Sequence, residues 1–350
     1  MSAATLPKLA RQDDRLRPLP WRRMAWVTWR QHRLTLAGLA ALLGAAGAYL
    51  LITGLQIHGA YAAVAACRPA NAQFCQQVDN DFLKTYAPGV GVVFGLFQVI
   101  PALIGAFAGA PILARELETG TFRFAWTQGF GRTRWTIAKL VPLAVAVTVA
   151  TGAFTLLVSW YVQPIFSAGD NNGPLYPTLF DLLGVALAAW TLTAFAIGVL
   201  AGFLIRRVVP AIVATFAVWA ALAVGTGLFL RAHYVAPVVT TNLTIPTQAW
   251  VINQGWFRGG SPASLDMINT TLAQVDVRAV TPELFQPGPA TPATLGDPVQ
   301  YLMHHGYTQL TTYQSATQFW RFQWIEGGWL FALSVILIAS TVWLVRRRAA

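Results

Sequence analysis

Charge is scarce in this sequence. Only 11% of its 350 residues are Asp, Glu, Lys or Arg, whereas 55% are hydrophobic. A soluble domain carries about 25% charged residues, because a surface in contact with water needs them. The composition therefore favours a membrane protein over its one alternative, a soluble protein with a very large core.

Catalytic and nucleotide-binding motifs are also lacking. Lysine occurs only at positions 8, 84 and 139, and none of these follows a glycine-rich phosphate loop. The patterns H-E-x-x-H and G-x-S-x-G are absent, and no Cys/His set has the spacing of zinc ligands. We therefore expect no catalytic residue, no metal and no cofactor in this chain, so a partner must supply any energy that its function requires.

Cysteine occurs only twice, at Cys67 and Cys75, in the loop after the first apolar run. Two thiols eight residues apart on an oxidising face favour a disulfide over two free thiols. This bond would hold the loop, and nothing near it indicates redox catalysis.

Six apolar runs reach the length of about 20 residues that a helix needs to cross a bilayer. The first is longer than the core of a signal peptide and follows 33 residues, which indicates an uncleaved anchor. The runs are Leu34–Ile57, Pro88–Leu113, Leu140–Val162, Leu179–Ile205, Val208–Leu230 and Gly328–Val345.

The Lys and Arg residues alternate with these runs. Eight precede the first run, five lie between the second and third, two between the fourth and fifth, and three follow the last. Only six lie on the opposite side. The positive-inside rule therefore predicts that both termini are cytoplasmic. The net charge of +11 then reports topology and attraction to membrane lipids rather than nucleic-acid binding.

These runs divide the chain into four parts. Residues 1–33 form a polar tail and a helix over 21–33, either an amphipathic interface helix or an ordinary juxtamembrane anchor. Residues 34–230 hold five spans. Residues 231–325 form an external cap, with helices predicted in "SLDMINTTLAQV" and "PVQYLMHHGY". Residues 326–350 hold the sixth span and a basic tail.

Within the spans, small-residue pairs at Gly105–Gly109 and Gly198–Gly202 permit close helix packing. Few ionisable residues lie deep in a span, which argues against a proton pump or an ion-coupled carrier. Gln98 is the polar side chain predicted to lie deepest. It either lines a path or bonds a neighbouring helix.

The stretch "ARELETGTFRFAWTQGFGRTRW" contains six charged residues and several large aromatics between two apolar runs. Acidic residues and threonines before a helix favour its start, which predicts a short helix over residues 120–128. The apolar side chains of this helix would have to be buried against lipid or another protein. Docking on another subunit and folding back on the membrane both remain open.

This stretch, with the "TIAKL" that follows it, resembles the segment after the second membrane helix in ABC-2-type transporter permeases, especially the actinobacterial kind. The "FWRFQWIE" lead-in to the last helix is similar too. The matching positions are Arg115, Glu116, Glu118, Gly120, Thr121, Arg132, Arg134, Trp135 and Lys139.

The resemblance implies an all-α polytopic membrane protein with six transmembrane helices and an ABC-2 (type V exporter-like) architecture. The stretch at about 115–137 would be a coupling helix that docks on a separate ABC ATPase. Two copies of this ATPase would bind ATP and Mg²⁺. The docking residues would be Glu116, Glu118, Gly120, Thr121, Phe122, Arg123, Trp126, Arg132 and Arg134.

It further implies a dimer with a second permease chain, identical or different, in the bacterial cell membrane. Such transporters export amphipathic small molecules, drugs, lipids or peptides. The spans that face the dimer interface in this family suggest Phe94, Phe97, Gln98, Phe216 and Trp219 as residues of the path.

Two other functions stay open. The cap could bind a ligand or partner in a membrane anchor or sensor that transports nothing. A membrane-embedded enzyme would need polar residues clustered at one face of the membrane, and the sequence does not reveal such a cluster.

Overall fold

The computed structural model describes residues 21–67, 73–120, 132–170, 172–273 and 298–348. It contains six helices that are long and apolar enough to cross a membrane. They cover residues 33–66, 74–119, 133–167, 186–205, 208–233 and 316–347. The predicted six-span helical fold is confirmed, although several boundaries differ from those that hydrophobicity alone indicated.

The first two spans are longer than the apolar runs. Helix α1 covers Trp21–Ala66 without a break, so the predicted 21–33 helix continues directly into the first span. Helix α2 begins at Gln73 and ends at Phe97, and the predicted first loop is therefore largely helical. A disulfide joins Cys67, directly after α1, to Cys75 in the first turn of α2, with a Cα–Cα distance of 5.5 Å.

The second span continues through short segments. Helix α3 covers Ile100–Ile104, a π-helical turn covers Gly105–Gly109, and helix α4 covers Ala110–Thr119. Helix α5, Arg132–Ser167, forms the third span. A four-residue helix, α6, covers Pro177–Phe180.

The fourth span, helix α7, covers Ala186–Ile205 and lies at the centre of the bundle. The sequence predicted a start at Leu179, but Leu179 belongs to α6 and a turn separates the two helices. Of the window that defines this span, 72% is buried, and no other span exceeds 44% in the described part of the chain. Helix α7 packs against the second, third, fifth and sixth spans.

The predicted small-residue pairs meet where α7 crosses the second span. A Cβ atom at Gly198 would lie 2.2 Å from the Gly105 carbonyl oxygen, and one at Gly202 would lie 2.3 Å from the Ala110 oxygen. Such distances leave no space for a side chain, so glycine allows the two backbones to touch.

Helix α8, Val208–Gly225, forms the fifth span and continues as a π-turn and a short 3₁₀ turn to His233. Helix α11, Phe319–Arg348, forms the sixth. We call the side of the bundle where α1 begins and α11 ends the termini end, and the opposite side the sheet end.

The segment between the last two spans contains a four-stranded antiparallel sheet that the sequence analysis did not predict. Its strands are β1 Val238–Thr240, β2 Trp250–Arg258, β3 Ser261–Pro262 and β4 Tyr307–Gln314, in the order β1-β4-β2-β3. Gly259 and Gly260 both have positive φ, which the tight β2–β3 turn requires.

The two helices predicted in this segment are confirmed as α9, Leu265–Ala273, and α10, Pro298–His304. They enclose a small core with the sheet, formed by Trp256, Ile268, Leu272, Leu302 and Tyr307. This segment therefore has a hydrophobic core of its own.

Candidate functional site

We call residues 115–137, which run from the last turns of α4 to the start of α5 at the termini end, the charged hairpin. Gly120 ends α4 in the left-handed conformation, with φ 71°, and α5 begins at Arg132. The predicted docking residues Thr121, Phe122, Arg123 and Trp126 lie outside the described residues, as does most of the predicted 120–128 helix. Of Arg132 only the backbone is described, whereas the Arg134 side chain is exposed.

Glu116 ties this hairpin to the third span. Its Oε1 lies 2.5 Å from the Lys139 Nζ, and the two side chains are 17% and 6% exposed. Lys139 also lies 5.2 Å from the centre of the Trp135 ring. This ion pair fixes the last turns of α4 against the start of α5.

Glu118 ties the hairpin to the fifth span. Its Oε2 accepts a hydrogen bond of 3.1 Å from the Val208 backbone N–H at the start of α8. The residue in the N-cap position, Arg207, makes no side-chain cap, so the carboxylate of another helix supplies it. A negative charge there also opposes the positive end of the helix dipole.

The predicted path residues lie in different places. Phe94 and Phe97 pack in the core, with ring centroids 5.6 Å from Tyr161 and Phe154, respectively. Phe216 packs edge-on against Phe107 instead. Within the described chain, Phe216 therefore packs apart from Phe94 and Phe97, and the path between two permease chains stays a prediction.

Gln98 and Trp219 do meet, at a cavity of about 30 Å³ that Asp181 and Trp190 also line. Gln98 Nε2 donates to the Pro177 carbonyl at 2.9 Å. The Trp219 Nε1 is buried and has no hydrogen-bond partner among the described residues. Of the two roles left open for Gln98, bonding to a neighbouring element is therefore observed.

Beside this cavity is an ion cluster formed by Asp181, Arg231 and Glu326. The Arg231 and Glu326 side chains are buried, at 2% and 0% exposed, whereas the Asp181 side chain is 24% exposed. Arg231 donates through Nη2 to Glu326 Oε1 at 2.7 Å, through Nε to Glu326 Oε2 at 3.1 Å, and through Nη2 to Asp181 Oδ1. The cluster joins the ends of the fifth and sixth spans to the turn before the fourth.

Neighbouring residues complete the cluster. Trp190 Nε1 donates to Glu326 Oε1 at 2.9 Å, and the Arg231 guanidinium lies 4.5 Å from the centre of the Phe180 ring. One turn earlier on α11, Gln323 Oε1 accepts from the backbone N–H groups of Val185 and Ala186, both at 2.9 Å. Helix α7 is thus capped and bonded by side chains of the sixth span.

Two carboxylates share one guanidinium in this cluster, so its formal charge is negative if both are ionised. The pKa of Asp181 is raised from 3.8 to about 7, because burial, together with the nearby charge of Glu326, outweighs the opposing attraction of Arg231. Burial likewise raises the pKa of the Tyr234 hydroxyl, which accepts a hydrogen bond from Trp329.

The sequence analysis missed this cluster. It assigned Arg231 to the loop beyond the fifth span and found few ionisable residues deep in the bundle, and it found no polar cluster at a membrane face. The available signal was Glu326, the only acidic residue of α11. Acidic residues are rare in membrane helices and are usually paired.

Comparison with known proteins identifies the family. Residues 40–231, more than half of the chain, match the family described as ABC-2 membrane transporter related. No curated protein and no solved structure gives a significant match. With six apolar helices, the chain is a multi-pass membrane protein and a permease subunit of an ABC transporter that works with an ABC ATPase. The chain belongs to the ABC-2 membrane transporter related family.

Proposed function

We propose that this permease exports an amphipathic small molecule, a drug, lipid or peptide, by using ATP that a separate subunit hydrolyses. The observation that carries the proposal is the charged hairpin of this chain, which belongs to the ABC-2 membrane transporter related family. Glu116 ties the hairpin to α5, and Glu118 ties it to α8. A force on the hairpin is thereby passed to the third and fifth spans.

The proposed assembly contains two permease chains, identical or different, and two ATPase copies that bind ATP and Mg²⁺. The hairpin docks on the ATPase through Phe122, Trp126 and their neighbours. Both termini face the cytoplasm of a bacterial cell, because the basic segments and the ATPase lie on that side. This chain itself catalyses no reaction.

The test is a pull-down of the tagged full chain from its native membranes, followed by detection of a co-purifying Walker-A protein and of ATP hydrolysis. We expect Phe122→Ala and Trp126→Ala to lose the ATPase. Trp324→Ala is the matched control, because Trp324 is 65% exposed at the opposite end of the bundle.

Elution of the chain alone from a mild detergent would contradict the proposal. It would favour a membrane anchor or sensor in which the sheet-bearing segment binds a ligand. Retention of the ATPase by all three variants would instead show that it docks elsewhere on the chain.

A further inference from the structure

A groove of about 710 Å³ lies at the sheet end, apart from the charged hairpin and from the predicted path residues. One wall is α5 from Gly152 to Ser167. The other is the turn Leu183–Val185 with Phe319 and Trp320 at the start of α11. Small-molecule sites have volumes of about 300–1,000 Å³, so the groove is large enough for a ligand.

The α5 wall has a polar edge. Thr155, Ser159, Gln163 and Ser167 recur every four residues and therefore share one face of the helix. They lie about 6 Å apart, and the row is about 18 Å long. Leu156, Val162 and Phe166 lie beside them, and no charged residue is among the described residues that line the groove.

One group on this edge has an unused hydrogen-bonding capacity. Thr155 is 3% exposed, and its Oγ1 has no hydrogen-bond partner within the described chain. The Ser159 hydroxyl donates to the Thr155 carbonyl at 2.9 Å and keeps its lone pairs as acceptors. A buried polar group without a partner is unfavourable, and a ligand with a matching group would remove this cost.

The sheet end of the groove is closed by a constrained residue. Gln248 has a φ of 63°, and its Nε2 donates to the Phe166 carbonyl at 2.7 Å. A Cβ on Gly173 would lie 2.1 Å from the Gln248 oxygen, so the chain packs tightly behind it. This end of the groove is therefore fixed by packing.

We propose that this groove binds an elongated, uncharged amphiphile that carries hydroxyl or carbonyl groups along one edge. The polar edge of the ligand lies on the Thr155–Ser167 row, and its apolar edge packs on Phe319 and Trp320. A plain acyl chain fits less well because it leaves the Thr155 hydroxyl unpartnered. The proposal concerns binding to this chain and does not depend on the export proposed above.

The probe is filipin, an uncharged fluorescent polyene with a polyol along one edge, titrated with the purified full chain in detergent without ATP or partner. The comparison probe is the methyl ester of parinaric acid, a fluorescent polyene chain without hydroxyl groups. We expect filipin to bind the chain more tightly than the ester.

Two variants locate the binding. Gly152→Leu should fill part of the groove, because a Cβ at this position meets no atom within 4 Å. It should weaken filipin binding about tenfold by displacing buried apolar contacts. Thr155→Val keeps the side-chain shape but removes the hydroxyl, and it should weaken binding about fivefold. Gly44→Leu, also at an open position but outside the groove, should bind as the native chain does.

Three outcomes would overturn the proposal. Equal binding of both probes, with no effect of Thr155→Val, would mean that the groove holds only a lipid chain. Unchanged filipin binding in Gly152→Leu would place the site elsewhere. Absence of filipin binding by the native chain would remove the site. A failed ATPase pull-down, by contrast, would leave these measurements unaffected.

Discussion

The two ends of the helix bundle carry charge in different ways. At the termini end the arginines are numerous, and Arg115 and Arg134 are exposed while Glu116 pairs with Lys139. At the sheet end Arg231 is buried and pairs with two acids, Glu326 and Asp181. The number of charges is a basis for predicting topology, whereas their burial determines which of them hold helices together.

The largest effect is expected from Arg231→Met, which leaves the buried Glu326 and the partly exposed Asp181 without their cation. Loss of one partner from a buried ion pair costs about 3–5 kcal/mol. We expect a large decrease in the unfolding temperature of the chain in detergent. Arg321→Met, at an exposed arginine of the same end, should have little effect. If the two variants lower the unfolding temperature equally, the ion cluster around the buried Arg231 does not stabilise the fold more than an exposed arginine does.

Lys139→Met tests the corresponding pair at the termini end. Because Glu116 is partly solvated, the expected cost is smaller, about 1–3 kcal/mol. Without this ion pair, α4 is no longer held against α5. The variant should therefore reduce ATP-dependent transport by the reconstituted complex more than it reduces retention of the ATPase. Transport activity per retained ATPase measures this difference. If transport activity per retained ATPase is unchanged, the Glu116–Lys139 ion pair contributes to stability alone.

Glu118→Ala removes the cap of α8 and should cost about 0.5–2 kcal/mol. It should also uncouple transport, because the hairpin loses its contact with the fifth span. Glu118→Gln retains an oxygen acceptor for the Val208 N–H and is the matched control. Transport rates and thermal unfolding of the two variants separate the two roles. If Gln and Ala give the same transport rate, the hydrogen bond is not the link.

The smallest effect is expected from pH, because Asp181 is 24% exposed and solvent weakens its interactions. The pKa of Asp181 is raised to about 7 in the folded chain, so folding favours the protonated carboxyl. The resulting stabilisation is complete below the ordinary pKa of 3.8 and is lost as the pH rises to about 7. The unfolding temperature should therefore rise on acidification through this range. In Asp181→Asn this contribution should be absent, and an unchanged profile would contradict the assignment.

Hydrophobic run length predicted six spans, and the glycine pairs marked the close crossing of the second and fourth. The boundaries were less accurate, because polar residues such as Asp79 and Asp81 continue a helix beyond the apolar run. The sheet was missed because its short strands contain Thr, Gln and Gly rather than a regular apolar alternation.

The sequence by itself determined that this chain crosses the membrane six times, since apolar length and the distribution of arginines act locally along the chain. Only the tertiary structure decided which ionisable groups meet. Asp181, Arg231 and Glu326 are 50 and 95 residues apart, and no periodicity links them. They come together because α8, α11 and the turn before α7 converge at the sheet end, where a buried arginine is stable only beside its acids.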